Sequence, residues 1–220
     1  PEAITANSFD AIVGNPPWTF VGQGGRSPKR VEGDHDTLRP RRSPDQAFLA
    51  VSARLAGKSG RIGMIMKATP FFSIDVHAVE ARGSFFKRLA PVALINLSYL
   101  RRENLFPGAL GPALLFFSRC ALGANPERLI VGSIPWTPDF KRTGVFQIGP
   151  GEIRSVALQR VLAVPSVLKA ATFGTVRDTW LIERLHTEFP RLDSQLDHLN
   201  IRPDVGRGQG FIVGGQPQKD

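Results

Sequence analysis

The chain has 220 residues, 42% hydrophobic and 21% charged, enough for one well-filled core and the start of a second. This composition excludes wholesale disorder, and no apolar run approaches the roughly 20 residues that span a bilayer, so no membrane partner is expected. Twenty-eight basic against 19 acidic side chains leave a net charge of +9, which favours a polyanionic partner, nucleic acid first. Cys120 is the only cysteine, which excludes an intrachain disulfide and a cysteine-rich zinc site and points to a reducing, cytoplasmic setting. Pro1-Glu2-Ala3 begins neither a signal peptide nor a transit peptide.

The first predicted element is a compact apolar strand, Phe9 to Gly14, ended by glycine. Residues 22–44, rich in Gly, Pro and Arg, read as a long loop. Ser43-Pro44-Asp45-Gln46 then reads as a helix start, with Ser43 at the N-cap, Pro44 at the first helical position and Gln46 closing a capping box. Phe48, Val51 and Leu55 follow at helical spacing, and Gly57 suits a left-handed stop. Arg61 to Met66 is the next strand. A helix from Val79 to Leu89 would turn Val79, Phe86 and Leu89 inward and Arg82, Lys87 and Arg88 outward. Strands at 92–98 and 112–118 come next, joined through Phe106-Pro107-Gly108 by too short a connection for a helical crossover, so they should pair antiparallel.

This alternation predicts an α/β layer with a mainly parallel sheet, whose working residues sit beyond the carboxyl ends of strands. A second regime begins near residue 135, with helices expected at 152–163 and 176–188, the latter opened by Thr175-Val176-Arg177-Asp178. A polar stretch then leads to Gly206-Arg207-Gly208-Gln209-Gly210 and the strand-like Phe211-Ile212-Val213.

Asn15-Pro16-Pro17-Trp18, at the end of the first strand, carries the most chemical information. The exocyclic amine of a base is a poor nucleophile because its lone pair is delocalised into the ring. A side-chain carbonyl on Asn15 and the backbone carbonyl of Pro16 can accept its two hydrogens and bias the nitrogen towards a tetrahedral geometry. Two consecutive prolines stiffen the turn and preorganise those acceptors. Trp18 offers a flat face for an extruded base, a contact worth about 1–3 kcal/mol in single-strand binders.

Phe9-Asp10-Ala11-Ile12-Val13-Gly14-Asn15-Pro16-Pro17-Trp18 resembles motif IV of the S-adenosylmethionine-dependent amino-methyltransferases, most closely the N6-adenine-specific DNA methyltransferases of restriction–modification systems. The downstream course is similar too: a helix from Gln46 to Leu55, a strand at Gly60 to Ile65, Leu94 to Leu97 before Leu105-Phe106, and Pro112 to Leu115 in the last strand. The resemblance implies a Rossmann-like methyltransferase sheet with a C-terminal helical extension. It implies the C-terminal half of a catalytic domain over 1–134, a helical linker over 135–205, and the start of a target-recognition region over 206–220.

It further implies methyl transfer from S-adenosyl-L-methionine to adenine N6 in double-stranded DNA, with Asn15, Pro16, Pro17 and Trp18 as the catalytic turn and no metal. In this family the cofactor is held by a glycine-rich turn and an acidic residue on strands that precede motif IV. The expectation is therefore a partial sheet, with S-adenosyl-L-methionine bound mainly by upstream sequence or by a completing subunit, and no cofactor-binding residue among these 220. Gly22-Gln23-Gly24-Gly25 and Gly206 to Gly210 lack the context of a ligand cradle and read as loop. The family more often has Tyr or Phe than Trp in the fourth position, so the indole of Trp18 should narrow the pocket or shift the base.

Arg26, Lys29, Arg30, Arg39, Arg41 and Arg42 cluster after the turn; Arg26, Lys29, Arg30, Arg41 and Arg42, with Arg101 and Arg102 at a strand end, are candidate phosphate contacts. A solvated loop is the simpler alternative for the cluster. His35, His77, His186 and His198 show no metal-ligand spacing, and Asp34 and Asp36 flank His35 in the loop. Trp136 and Trp180 read as packing residues. Rival readings are an RNA-base or protein-glutamine methyltransferase, which use a similar turn, and a truncated nucleic-acid-binding remnant without activity.

Overall fold

The computed structural model describes residues 9–18, 44–103, 112–120, 127–190, 194–195 and 198–199. The chain forms two compact units, Pro1–Ile182 and Glu183–Asp220. The first holds a six-stranded sheet of β1 (Phe9–Gly14), β2 (Ala56–Lys67), β3 (Ala90–Asn96), β4 (Ala113–Arg119), β5 (Arg128–Ser133) and β6 (Ile153–Ala157), in the order β1-β2-β4-β3-β5-β6. Its helices are α1 (Pro44–Leu55), α2 (Thr69–Phe72), α3 (Val76–Arg88), α4 (Pro138–Thr143), α5 (Leu158–Ala163), α6 (Val167–Phe173) and the start of α7 (Val176–Glu188), with a 3-10 helix at Ser98–Glu103. Among the described residues no helix is long and apolar enough to cross a membrane.

β1 pairs parallel with β2 and β3 with β5, whereas β4 lies antiparallel between β2 and β3, and β6 antiparallel to β5. Four of the six strands therefore run in one direction, and the expected antiparallel reversal of β3 and β4 is present. The helix expected over 152–163 is corrected: Ile153–Ala157 is strand β6, and only Leu158–Ala163 is helical. Ile153, Ser155 and Ala157 alternate with Arg154 and Val156, a period-two pattern that pairs with β5 and draws part of the expected helical linker into the sheet. β5 itself follows from the apolar run Leu129-Ile130-Val131, in which Ile130 and Val131 are β-branched.

Alternation across the sheet separates two faces. The row Met64, Phe116, Leu94 and Val131 is buried, joined by α1, α3, α5 and α6 through Leu49, Phe86, Leu158 and Leu168. Each of these side chains contributes about 1.5–3 kcal/mol by burial. On the opposite face a second cluster of Ile95, Leu97, Leu100, Ala113, Ile134 and Phe140 covers the sheet near the carboxyl ends of β3 and β5. The adjacent row on that face runs Val13, Gly63, Phe117, Ala93 and Ile130, and it is open: Val13 is 84% exposed and Phe117 41%.

Two helix faces differ from the sequence expectation. In α1 the buried stripe is Leu49 and Ala50, while Phe48 and Val51 are exposed and Leu55 half-buried, because the helix carries two apolar stripes and the sheet takes the other one. Gly57 continues into β2 rather than stopping the helix; the positive-φ glycine among the described residues is Gly144, which ends α4 at φ 69°. In α3 Arg82 points inward, contrary to its expected outward place. Its Nη1 donates to the carbonyls of Phe71 and Ser73, and Nη2 to that of Pro165 at 3.4 Å. Burial lowers its pKa to about 10, so it stays charged at neutral pH.

Arg82 thus ties the α2–α3 turn to the segment before α6. Arg82→Ala should lower the unfolding free energy by about 2–4 kcal/mol in denaturant titration, because three carbonyls lose a charged donor. Arg82→Lys should recover less than half, since one ammonium cannot reproduce the fork. At the start of α7, Thr175 and Asp178 cap each other reciprocally: Thr175 N and Oγ1 donate to Asp178 Oδ2 at 2.6 and 2.8 Å, and Asp178 N donates to Thr175 Oγ1 at 3.2 Å. The backbone bond from Thr175, then its hydroxyl, lowers the Asp178 pKa. A carboxyl whose pKa is depressed by folding stabilises above its ordinary value and loses that contribution as pH falls through the folded value. Acidification through the carboxylate range should therefore open the Thr175 and Asp178 amides to hydrogen exchange before the sheet amides, and Asp178→Asn should remove most of that pH dependence.

Candidate active site

The carboxyl ends of β1, β2, β3 and β5 lie along one edge of the sheet. β1 ends at Gly14, opposite Met64, whereas β2 runs on to Lys67. The even-numbered positions of β2 point their backbone groups at β4, as the 2.8 Å bonds from Cys120 N to Gly60 O and from Ala68 N to Pro112 O show. The odd-numbered ones therefore face β1. Past Gly14 the carbonyl of Ile65 and the amide of Lys67 have no strand to pair with, and buried backbone groups must find partners.

Two side chains supply them. Trp18 Nε1 donates to Ile65 O at 3.4 Å, and Lys67 N donates to Asp45 Oδ2 at 2.9 Å. Gln46 N donates to the other oxygen, Asp45 Oδ1, at 3.0 Å. The Asn-Pro-Pro-Trp turn and the first turn of α1 are thereby held side by side where β1 would have continued. Asp45 is fully buried in this bridging role, which the sequence showed only as part of a helix start.

Within the turn, Asn15 is exposed and its carboxamide makes no hydrogen bond among the described residues, while Pro16 is buried and Pro17 exposed. Trp18 is half-buried and packs against the cluster that contains Leu97, Leu100 and Ile134. Its indole is thus held against that cluster, three residues along the chain from Asn15. The arrangement places an exposed carboxamide on a Pro-Pro turn close in sequence to an aromatic ring held by the sheet.

Arg101 is exposed on the 3-10 helix that follows β3, on the same edge; Arg102 lies on that helix too, so both sit past the strand end where they were expected. Asn96, the buried last residue of β3, fixes the start of this helix. Its Oδ1 accepts from Ser98 N at 3.1 Å and from Ser98 Oγ, and its Nδ2 donates to Ser133 Oγ at 3.0 Å. Ser133 Oγ in turn donates to Thr172 O at 2.8 Å. Sequence reading missed Asn96; an Asn two residues before a Ser at a strand end was the available signal. Trp136 is 44% exposed rather than packed, its Nε1 donating to Glu103 Oε1 at 2.6 Å, and Trp180 is 54% exposed. Arg26, Lys29, Arg30, Arg41 and Arg42, with His35 and both glycine-rich segments, lie outside the described residues.

The strands ending on this edge terminate in Gly14, Lys67, Asn96 and Ser133, none acidic, and no glycine-rich turn joins a described strand to a described helix. Among the described residues no three of His, Cys, Asp and Glu come together as metal ligands.

No protein-family model and no curated protein sequence matches the chain. Solved structures do. The methyltransferase subunit of a type I restriction-modification system from Streptococcus thermophilus superposes with a TM-score of 0.53 at 12% identity, over 74% of this chain and 37% of that one. A structure of a type I restriction-modification system superposes with a TM-score of 0.51 at 14% identity, over 87% of this chain and 41% of that one. Over the matched residues the chain has the fold of these structures. The chain spans roughly two fifths of the length of these relatives. The sequence expectation of an α/β methyltransferase-like sheet holds, with β1, the motif-bearing strand, at its edge.

Proposed function

We propose that the chain is the motif-bearing part of a DNA methyltransferase that transfers a methyl group from S-adenosyl-L-methionine to adenine N6. The observation that carries this reading is the exposed carboxamide of Asn15 on a Pro-Pro turn at the carboxyl end of β1, three residues before the ring of Trp18, which donates to Ile65 O. Asn15 Oδ1 and the Pro16 carbonyl accept the two amine hydrogens and draw the nitrogen out of conjugation, and Trp18 bounds the extruded base. Arg26, Lys29, Arg30, Arg41, Arg42, Arg101 and Arg102 would hold the phosphates of double-stranded DNA, in keeping with the net charge of +9. S-adenosyl-L-methionine supplies a methyl group on a good leaving group. It would be held mainly on the open side of β1, by upstream sequence or by a completing subunit. The target-recognition role of residues 206–220 and a cytoplasmic setting belong to the same proposal.

The test is product analysis. The complete protein is incubated with DNA and methyl-labelled donor, and the DNA is digested to nucleosides. Label in N6-methyldeoxyadenosine is expected; label confined to RNA, to protein glutamine or to a cytosine product would replace this reading with the corresponding rival.

A further inference from the structure

Among the described residues, helices seal one face of the sheet, and the other is covered only near the carboxyl ends of β3 and β5. A sheet made mostly of parallel strands ordinarily carries helices on both faces. On the open face Val13 and Phe117 flank Gly63, and both are exposed. They close over the glycine: a Cβ there would lie 3.6 Å from Val13 Cγ1 and 3.4 Å from the Phe117 ring. β1, β2 and β4 thus share one continuous apolar ledge, which Ala93 and Ile130 extend over β3 and β5.

Two residues back along β2, the same face changes character. Arg61 stands directly opposite Arg119 across the β2–β4 pair, and both are exposed. Neither makes a hydrogen bond or an ion pair among the described residues. Arg128, two residues before Ile130 on β5, continues the charged row, its Nε and Nη2 donating to Ser155 Oγ at 2.7 Å and Ser155 O at 2.9 Å. No Asp or Glu belongs to either row. Like charges in direct register across two strands repel. A carboxylate laid over Arg61 and Arg119 would turn that repulsion into attraction.

Size and charge together select the occupant. From β1 to β4 is two strand spacings, about 10 Å, the width of one α-helix with its side chains. The arginine row lies about 7 Å from the apolar row, so a helix along β2 meets it about one turn from its apolar anchors. Nucleic acid offers negative charge but no apolar stripe. A second copy of this chain offers an apolar row but brings the same arginines. We infer that this face binds an acidic amphipathic helix of another polypeptide, laid along β2 over Gly63. Its apolar side chains rest on Val13 and Phe117, and its carboxylates pair with Arg61 and Arg119. The inference stands on the sheet and does not depend on methyl transfer.

The test titrates the 220-residue chain with three synthetic helical peptides of about 20 residues, followed by fluorescence anisotropy. One has a leucine stripe bordered by glutamates, the second the same stripe bordered by lysines, and the third the first peptide's residues with the leucines scattered round the helix. The glutamate-bordered peptide should bind about tenfold tighter than either other, and its lead over the lysine peptide should shrink as salt is added. Arg61→Gln with Arg119→Gln should abolish that lead, and Arg61→Glu with Arg119→Glu should hand it to the lysine peptide. Both positions are exposed, so circular dichroism should show these variants folded. Phe117→Glu should weaken the glutamate peptide. No binding, equal binding of the three peptides, or a lead that survives charge reversal would overturn the inference. So would either rival occupant appearing without a peptide preference: duplex DNA whose binding falls in Arg61→Glu with Arg119→Glu, or self-association that Phe117→Glu abolishes.

Discussion

Asn15→Ala in the complete enzyme should reduce methyl transfer by about 10²–10³-fold while leaving DNA affinity within about twofold. The magnitude is that of removing one preorganised polar group from a reacting centre, where it acts mainly on the transition state. Affinity should hold because Asn15 is exposed and makes no bond that supports the fold, so its loss disturbs neither β1 nor the contacts of Trp18. Trp18 behaves differently. Trp18→Ala removes the bond to Ile65 O and a wall of the Leu97–Ile134 cluster, so it should weaken base capture and also destabilise the fold by about 2–3 kcal/mol. Trp18→Phe keeps most of the packing and should retain much of the activity. Single-turnover kinetics with a filter-binding measurement separates the two effects; normal turnover by Asn15→Ala would remove the central role assigned to the turn.

The strand, its Asn-Pro-Pro-Trp turn and the antiparallel β3–β4 pair were legible because each depends on short-range signals: an apolar run, two prolines, a loop too short to cross over. What escaped depended on tertiary choice. Arg82 looked like a surface residue of an amphipathic α3, but three carbonyls from two other segments replace its water. Phe48 and Val51 looked like the core stripe of α1, yet a helix with two apolar stripes does not say which one meets the sheet. Leu49 and Ala50 are the pair that joins the buried cluster. Asp45 read only as part of the helix start Ser43-Pro44-Asp45-Gln46. Its larger role follows from β2 outlasting β1 by three residues, and strand lengths are set by pairing that no local window contains.

That same inequality leads to a prediction about assembly. Among the described residues β1 has β2 as its neighbour on one side only, and its burial is slight from Phe9 to Gly14. Beside it lies the open row with Val13 84% and Ile130 40% exposed, and Phe48 of α1 is 51% exposed. Covering these side chains together with Phe117 and Val51 would gain about 5 kcal/mol, enough to drive association when no proper partner is present. A parallel edge strand also offers backbone groups to another chain. The 220-residue chain made by itself should therefore self-associate and, on the proposed function, bind no S-adenosyl-L-methionine, because that reading puts the cofactor mainly on the open side of β1. A polypeptide carrying the strands that the methyltransferases resembled by its sequence place ahead of motif IV, fused before β1 or added separately, should restore a monomeric domain and cofactor binding together, because one docking event covers the edge and delivers the site. Sedimentation velocity and calorimetric titration read the two outcomes. A monomeric chain that binds the cofactor stoichiometrically at micromolar concentration would place a cofactor site within these residues and leave the exposed edge without that role.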